Sequence, residues 1–277
     1  MSLILVTDST CDLSREYVQQ HGIHVVPLNI HLKNSVYKDG IDIKPAELYH
    51  RLRCEDIFPQ TSQPSAGEFL ELYRKLQPED ECLVICISSD LSGTYQSAQL
   101  AADMYAEEGT AEIHVVDSRS VSMGLGMQVM HAQQCFAQGK DMTQTLFELA
   151  EMRRRMRILF VVDTLDYLAR GGRIGQLSKH LGNLLQLKPL LHLENGRIGL
   201  LDKVRTKPKA VQHMLDIFAK EARQAQQVVA LHIDALEEGQ ALVQKVQEHY
   251  SGPVSLVQCG AVIGSHAGPG TVGLCWY

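Results

Sequence analysis

Short apolar runs alternate with helical patterns along most of the chain, and this alternation constrains the fold more than any other feature. The clearest apolar runs are residues 3–6, 83–87 and 113–116. The helical patterns that follow them cover residues 12–20, 94–107 and 121–137. Strands that alternate with helices in this way pair in parallel, with helices on both faces of the sheet.

An Asn-Gly pair marks a different pattern in the second half of the chain. Residues 188–193 and 197–204 are apolar runs on either side of Glu194, Asn195 and Gly196. Asn-Gly between such runs is a strong β-hairpin signal, so antiparallel strands are expected here. We therefore predict a two-domain α/β protein, with an N-terminal parallel-sheet domain over residues 1–156 and a C-terminal mixed-sheet domain over residues 157–277.

Composition narrows the class of protein. The 277 residues are 45% hydrophobic, which is typical of a globular protein with a core. No apolar run is long enough for a membrane helix, and the N-terminus lacks the pattern of a signal peptide. These features predict a cytoplasmic protein with no membrane span and at most transient membrane contact.

The charged residues are unevenly distributed. A net charge of −6 argues against nucleic-acid binding. Residues 151–209 nevertheless carry 13 Lys/Arg and only 5 Asp/Glu. This basic segment either scatters over the folded surface or forms a surface for a phosphate or an acidic partner.

The cysteines give little support for a metal site. There are seven, none of them in a C-x-x-C pair, and several lie in apolar runs as small hydrophobic residues. A zinc site is therefore poorly supported, and we expect no metal and no cofactor.

A hydroxyl-rich stretch, Ser88 to Ala98, follows an apolar strand and leads into a helix. The first turn of a helix attracts anions, and hydroxyl groups add neutral donors. The phosphate-loop motifs of nucleotide-binding proteins are absent, and no lysine lies between residues 76 and 139. This combination favours a single negative charge, such as a carboxylate.

Three further motifs carry candidate site residues. Thr61-Ser62-Gln63-Pro64-Ser65 is a hydroxyl-rich turn that either caps a helix or forms a second wall of the anion site. Residues 163–174 present Arg170 and Arg173 around two glycines, an arrangement suited to carboxylate or phosphate. Residues 263–270 place His266 among small residues, on a loop that we expect to be irregular and exposed, where the histidine either donates to a carboxylate or protonates near neutral pH.

Together these motifs resemble the DegV family of bacterial fatty-acid-binding proteins, which includes the binding subunits of fatty acid kinase. The resemblance runs from Thr7-Asp8-Ser9-Thr10 to Gly273-Leu274-Cys275-Trp276 and also covers Leu187-Lys188-Pro189. It implies one long-chain fatty acid with its acyl chain buried in the first domain and lined by residues 1–156, and with its carboxylate at the domain junction.

The resemblance also implies roles for particular residues. Thr61 and Ser92 would bind the carboxylate directly, and Ser62, Thr94 and His266 would lie in or near that network. The family's binding subunit has no catalysis of its own. It presents the fatty acid to a separate kinase, which forms an acyl phosphate for phospholipid synthesis. Arg170, Arg173 and Arg205 are then candidates for the kinase-facing surface.

An alternative from a different class is a metal-dependent phosphotransferase or hydrolase. Asp8, Asp117 and Asp163 each end an apolar run and are followed by a hydroxyl residue. Aspartates at strand ends either cap the next helix or bind Mg²⁺, with His266 as a further functional group.

Overall fold

The computed structural model describes residues 2–175 and 187–277. Within them are thirteen β-strands and ten α-helices. The strands are β1 (Leu3–Asp8), β2 (His24–Val26), β3 (Asn29–Leu32), β4 (Ser35–Lys38), β5 (Gln60–Ser62), β6 (Glu81–Cys86), β7 (Glu112–Asp117), β8 (Arg157–Val161), β9 (Lys188–Glu194), β10 (Arg197–Val204), β11 (Val228–Ile233), β12 (Val254–Gln258) and β13 (Thr271–Trp276).

The helices connect these strands and cover the sheets. They are α1 (Arg15–Gln20), α2 (Pro45–Cys54), α3 (Ala66–Tyr73), α4 (Thr94–Tyr105), α5 (Met123–Ala137), α6 (Met142–Arg155), α7 (Asp166–Arg170), α8 (Lys207–Glu221), α9 (Leu236–Gln247) and α10 (Ala261–Ala267). No helix of the described residues is long and apolar enough to cross a bilayer.

The N-terminal part contains a four-stranded sheet in the order β2-β1-β6-β7, with every pair parallel. One face packs on α3 and α4 through residues such as Phe69 and Ala101. The other face packs on α5 and α6 through residues such as Leu125 and Leu149. The parallel sheet with helices on both faces is confirmed.

The C-terminal part contains a six-stranded mixed sheet in the order β10-β9-β8-β13-β11-β12. Only β11 and β12 pair in parallel, and the other neighbours are antiparallel. The predicted hairpin is present, because β9 and β10 pair across Asn195 and Gly196, both of which have positive φ. All six strands come from residue 157 onward, although the exact division into two domains stays a prediction.

A third, small antiparallel sheet in the order β4-β3-β5 lies beside these two. Its strand β5 carries the Thr61-Ser62 motif in register with Ile30 and Asn29 of β3. Pairing with β3 therefore fixes which way each of the two hydroxyl side chains points, since neighbouring residues on a strand face opposite sides.

Two local predictions are wrong. The helix expected from residue 12 begins at Arg15, because Asp12 has a left-handed backbone and Ser14 caps the first turn. The segment 263–270, expected to be an irregular exposed loop, instead begins inside helix α10 (Ala261–Ala267), in which five of the seven residues are buried.

Candidate functional site

An apolar cavity lies between the two large sheets and contains about 840 Å³ of atom-free space, its mouth included. Its walls come from the mixed sheet, from α10 and from the loops that follow β6 and β7. The apolar side chains are Leu28, Ile87, Leu91, Val121, Ile158, Phe160, Leu168, Leu193, Ile198, Leu231, Ile233, Val262 and Ile263.

Most of this apolar lining follows residue 157, so the expectation that residues 1–156 alone would line the cavity is wrong. Ile158 and Phe160 of β8, for example, contribute side chains from the middle of the mixed sheet. The sequence identifies apolar runs as strands. It does not reveal which face of a strand borders a cavity and which face belongs to the ordinary core.

Thr61 and Ser62 face opposite sides of β5. Thr61 lines the cavity, where its Oγ1 lies 2.7 Å from Nε2 of His266. Ser62 instead bonds to the side chains of Asn29 and His31, with its Oγ 3.2 Å from Nδ2 of Asn29 and 2.9 Å from Nε2 of His31. Ser62 is not among the residues that line this cavity, so a direct ligand contact has no support here.

His266 is largely buried on α10, and its ring is neutral at pH 7. Burial lowers its pKa to about 4, with a further contribution from the positive charge of Arg173. Of the two roles expected for this histidine, protonation near neutral pH is therefore wrong, and donation to a carboxylate stays a prediction. Its other ring nitrogen, Nδ1, is buried without a hydrogen-bond partner and faces Gly171, where a Cβ would overlap it.

This environment selects one tautomer of His266. A proton on Nδ1 would leave a buried N–H donor unsatisfied, at a cost of about 1–3 kcal/mol. A proton on Nε2 is instead donated to Oγ1 of Thr61. The hydroxyl hydrogen of Thr61 is then free to point into the cavity, towards an acceptor.

Ser92 and Thr94 lie at the start of α4. Ser92 lines the cavity, and its Oγ is 2.9 Å from Oγ1 of the buried Thr94. The two hydroxyls therefore form a pair in which Thr94 orients Ser92 from behind. Both residues occupy the junction where β6 leads into α4, as the sequence motif indicates.

Arg173 also lines the cavity, and its place on a partner-binding surface stays a prediction. Its Nε donates to the carbonyl of Leu91 at 3.0 Å, and its Nη1 donates to that of Gly171 at 2.6 Å. Burial lowers the pKa of the guanidinium, but arginine stays charged in proteins. A cation therefore reaches the cavity from a part of the sequence distant from the Ser88–Ala98 stretch.

The other two arginines remain at the surface. Arg170 and Arg205 are both exposed, and the guanidinium of Arg170 lies 5.2 Å from the centre of the Phe58 ring.

A set of contacts that the sequence does not reveal fixes α10 in place. The Tyr49 hydroxyl donates to the carbonyls of Cys259 and Gly260 at 2.7 and 3.0 Å. The backbone N–H of Gly260 donates to Asp12 at 2.8 Å. Burial raises the pKa of Asp12 to about 7, against the opposing effect of its hydrogen bonds. These contacts link residues far apart in sequence, so no local motif predicts them.

The strand-end aspartates of the enzyme alternative are engaged separately. Asp8 accepts from the backbone N–H groups of Thr10 and Ile87 at 3.0 and 2.7 Å. Asp117 accepts from Ser89 and Arg119, and Asp163 pairs with Lys207 at 3.2 Å. Among the described residues these three carboxylates do not form a candidate metal cluster.

A mainly apolar cavity whose lining also includes Arg173, the hydroxyls of Thr61 and Ser92, and the neutral His266 defines an α/β protein with a candidate site for an amphiphilic ligand. The chain belongs to the DegV family. The family model described as "Uncharacterised protein, DegV family" matches residues 2–277.

Three relatives illustrate the similarity. A DegV domain-containing protein of Halalkalibacterium halodurans is 37% identical over 99% of this chain and 98% of its own. A DegV family protein from Thermus thermophilus, described for its fatty acid binding, superposes with a TM-score of 0.91 at 38% identity, over 100% of this chain and 99% of that one. DegV of Bacillus subtilis, described as a fatty acid binding protein, gives a TM-score of 0.89 at 31% identity, again over 100% and 99%.

Proposed function

We propose that this protein binds one long-chain fatty acid, with the acyl chain in the cavity and the carboxylate beside Thr61, Ser92 and Arg173. The observation that carries this proposal is the Thr61–His266 pair in the lining of a mainly apolar cavity. The fatty acid binding described for two close structural relatives points to the same ligand class.

The physical chemistry of the cavity favours such a ligand. Each buried CH₂ group contributes about 0.8 kcal/mol, so a long chain supplies most of the affinity. The polar end then selects the orientation: the Thr61 hydroxyl donates to the carboxylate, and the Arg173 guanidinium balances its charge. Because His266 is neutral, it adds no second buried cation and serves to orient Thr61.

The first test is mass spectrometry of an organic extract of the purified protein, next to its intact mass under native conditions. A stoichiometric fatty acid would support the proposal and identify the chain that is preferred. If no lipid is found, even after incubation with a mixture of fatty acids, the proposal fails.

The site assignment is tested with two neighbouring substitutions on β5. Thr61→Val removes the proposed donor and should weaken fatty-acid binding about 10- to 100-fold, the effect of one hydrogen bond to a charged group. Ser62→Ala is the matched control, because Ser62 bonds to His31 and Asn29 instead. Equal affinities of Thr61→Val and the wild type would show that the carboxylate lies elsewhere.

We further propose that the protein is not itself an enzyme and that it presents its fatty acid to a partner kinase, which forms the acyl phosphate. The exposed Arg170 and Arg205 in the basic segment support this role. Arg170→Glu and Arg205→Glu should weaken kinase binding while fatty-acid binding persists. Arg15→Glu, at an exposed arginine of α1, is the control. Full kinase binding by both variants would contradict the assignment of this surface.

A further inference from the structure

A cluster of metal-ligating side chains lies outside the cavity, where α5 packs on α6. His131 and Cys135 are one turn apart on α5, and Glu148 faces them from α6. Nε2 of His131, Sγ of Cys135 and a carboxylate oxygen of Glu148 all lie within 4.8 Å of one another. Among the described residues this is the one such group of three.

One oxygen of Glu148 is the centre of the cluster. Its Oε2 lies 3.0 Å from Nε2 of His131 and 3.4 Å from Sγ of Cys135. Zinc binds imidazole nitrogen and carboxylate oxygen at about 2.0–2.2 Å and thiolate sulfur at about 2.3 Å, so its ligand atoms are about 3–4 Å apart. Both separations fall within that spacing.

The second oxygen of Glu148 is held by a separate partner. Its Oε1 accepts from the Lys140 ammonium at 2.6 Å. A carboxylate oriented from behind by a hydrogen bond is the usual arrangement of a metal-bound carboxylate. Lys140 therefore leaves Oε2 free to act as the ligand.

We propose that His131, Cys135 and Glu148 form a zinc site with three protein ligands and a fourth position open to water. In the metal-free protein His131 and Cys135 donate to Glu148. Zinc replaces both hydrogen bonds: the thiol proton of Cys135 leaves to solvent, and the imidazole proton moves from Nε2 to Nδ1. The site then joins α5 and α6 as a crosslink. This proposal revises the expectation, drawn from cysteine spacing alone, that the protein has no metal site.

The proposed site is independent of the fatty-acid cavity. Ser122, which lines the cavity, immediately precedes α5, whereas Cys135 lies near the C-terminus of that helix. At 1.5 Å per residue the two are about 20 Å apart along the helix. Loss of zinc should therefore leave fatty-acid binding unchanged, and each proposal is tested without the other.

The chain offers a matched control on α2. His50 and Cys54 have the same one-turn spacing as His131 and Cys135, with both ring nitrogens of His50 3.9 Å from Sγ. No Glu, Asp or further ligand completes that pair in the part of the chain that the structure describes. Cys54→Ser therefore removes a helical His–Cys pair without touching the proposed site.

The experiment titrates Zn²⁺ against a chromophoric chelator with the tag-free, full-length protein, followed by Co²⁺ as a spectroscopic probe. One zinc per chain, a thiolate-to-cobalt charge-transfer band and a raised Tm are expected of the wild type. Cys135→Ser should remove the band and weaken zinc binding at least about 100-fold, and His131→Gln should weaken it similarly, while Cys54→Ser behaves as wild type. If the Cys135→Ser variant fails to fold because Cys135 is buried, His131→Gln tests the site instead, since His131 is partly exposed.

Two results would overturn the proposal. One is the absence of stoichiometric zinc binding by the wild type at micromolar metal. The other is binding that survives in both Cys135→Ser and His131→Gln, or that is lost equally in Cys54→Ser.

Discussion

The protonation state of His266 is set by its neighbours and has a measurable consequence for stability. Burial and the charge of Arg173 lower its pKa to about 4, from a usual value of 6.5. Between these two values the unfolded chain binds a proton that the folded protein does not. The stabilising contribution of neutral His266 is therefore complete above pH 6.5 and declines as the pH falls towards 4.

His266→Gln should remove this dependence. In lipid-free protein, the free energy of unfolding of the wild type relative to the variant should decrease by roughly 3 kcal/mol between pH 7 and pH 4. The comparison is needed because burial raises the pKa of Asp39 to about 6 and that of Asp12 to about 7. Those two carboxyl groups favour the folded state as the pH falls, but they are present in both proteins. Urea unfolding at several pH values provides the measurement, and parallel pH profiles would contradict the assigned shift.

Sequence predicts the place of a residue when that residue belongs to a local motif. It fails when the side chain contacts residues that are distant in the sequence. The hydroxyls of Thr61 and Ser92 line the cavity, and both belong to motifs that are visible in the sequence. Arg173 belongs to an equally visible motif, but its distance from the Ser88–Ala98 stretch hides the contact with Leu91. Ser62 belongs to the same local motif as Thr61, but it is one residue further along β5 and its hydroxyl therefore points away from the cavity, towards His31.

Among the elements, the β9–β10 hairpin couples the mixed sheet to the loop before α4. Its residues Leu193 and Ile198 line the cavity. At its turn, the carbonyl of Gly196 accepts from the Ser88 hydroxyl at 2.9 Å, and Arg197 pairs with Asp90 at 2.8 Å. The hairpin is therefore both a wall of the cavity and a contact between the two parts of the chain.

Gly196→Ala should disrupt this contact. Gly196 has a φ of +83°, and a Cβ there would overlap the Ser88 hydroxyl. Gly40→Ala is the control, because Gly40 has a φ of +73° with open space around it. Both variants should lose about 1 kcal/mol from the left-handed backbone, but Gly196→Ala should lose more and release fatty acid faster. Denaturant unfolding and ligand dissociation rates measure the two effects, and identical losses would show that the turn does not hold the hairpin.

The elements that the sequence predicts least well are those whose neighbours decide their conformation. Small residues around His266 favour a loop, yet α10 forms because Tyr49 and Asp12 hold its first turn and Gly264 lets the Tyr49 ring approach. Strand β13 was not among the predicted strands. It is nevertheless a central strand of the mixed sheet, paired on one side with β8 and on the other with β11. The β9–β10 hairpin is set by its own Asn-Gly turn and not by distant neighbours, and its prediction is confirmed.

At the scale of the whole molecule, the largest hydrophobic cluster of the described residues contains side chains from both sides of the predicted domain boundary at residue 157. Tyr49, Met123 and Met127 from before it pack in one cluster with Val229 and Cys275 from after it. Removal of either part would expose the apolar surface that the other now covers. The two sheets are separate in hydrogen bonding, but they share this core.

We therefore expect the full chain to unfold in a single cooperative transition. Calorimetry should give equal calorimetric and van't Hoff enthalpies, the criterion for two-state unfolding. Saturating fatty acid should raise the Tm of that one transition, because the cavity takes its walls from both parts of the chain. A fragment of residues 1–156 should lack a cooperative transition, since Met123, Met127 and Tyr49 would lose the core that buries them. Two separate transitions, with only the first shifted by ligand, would show instead that residues 1–156 fold and bind the lipid by themselves.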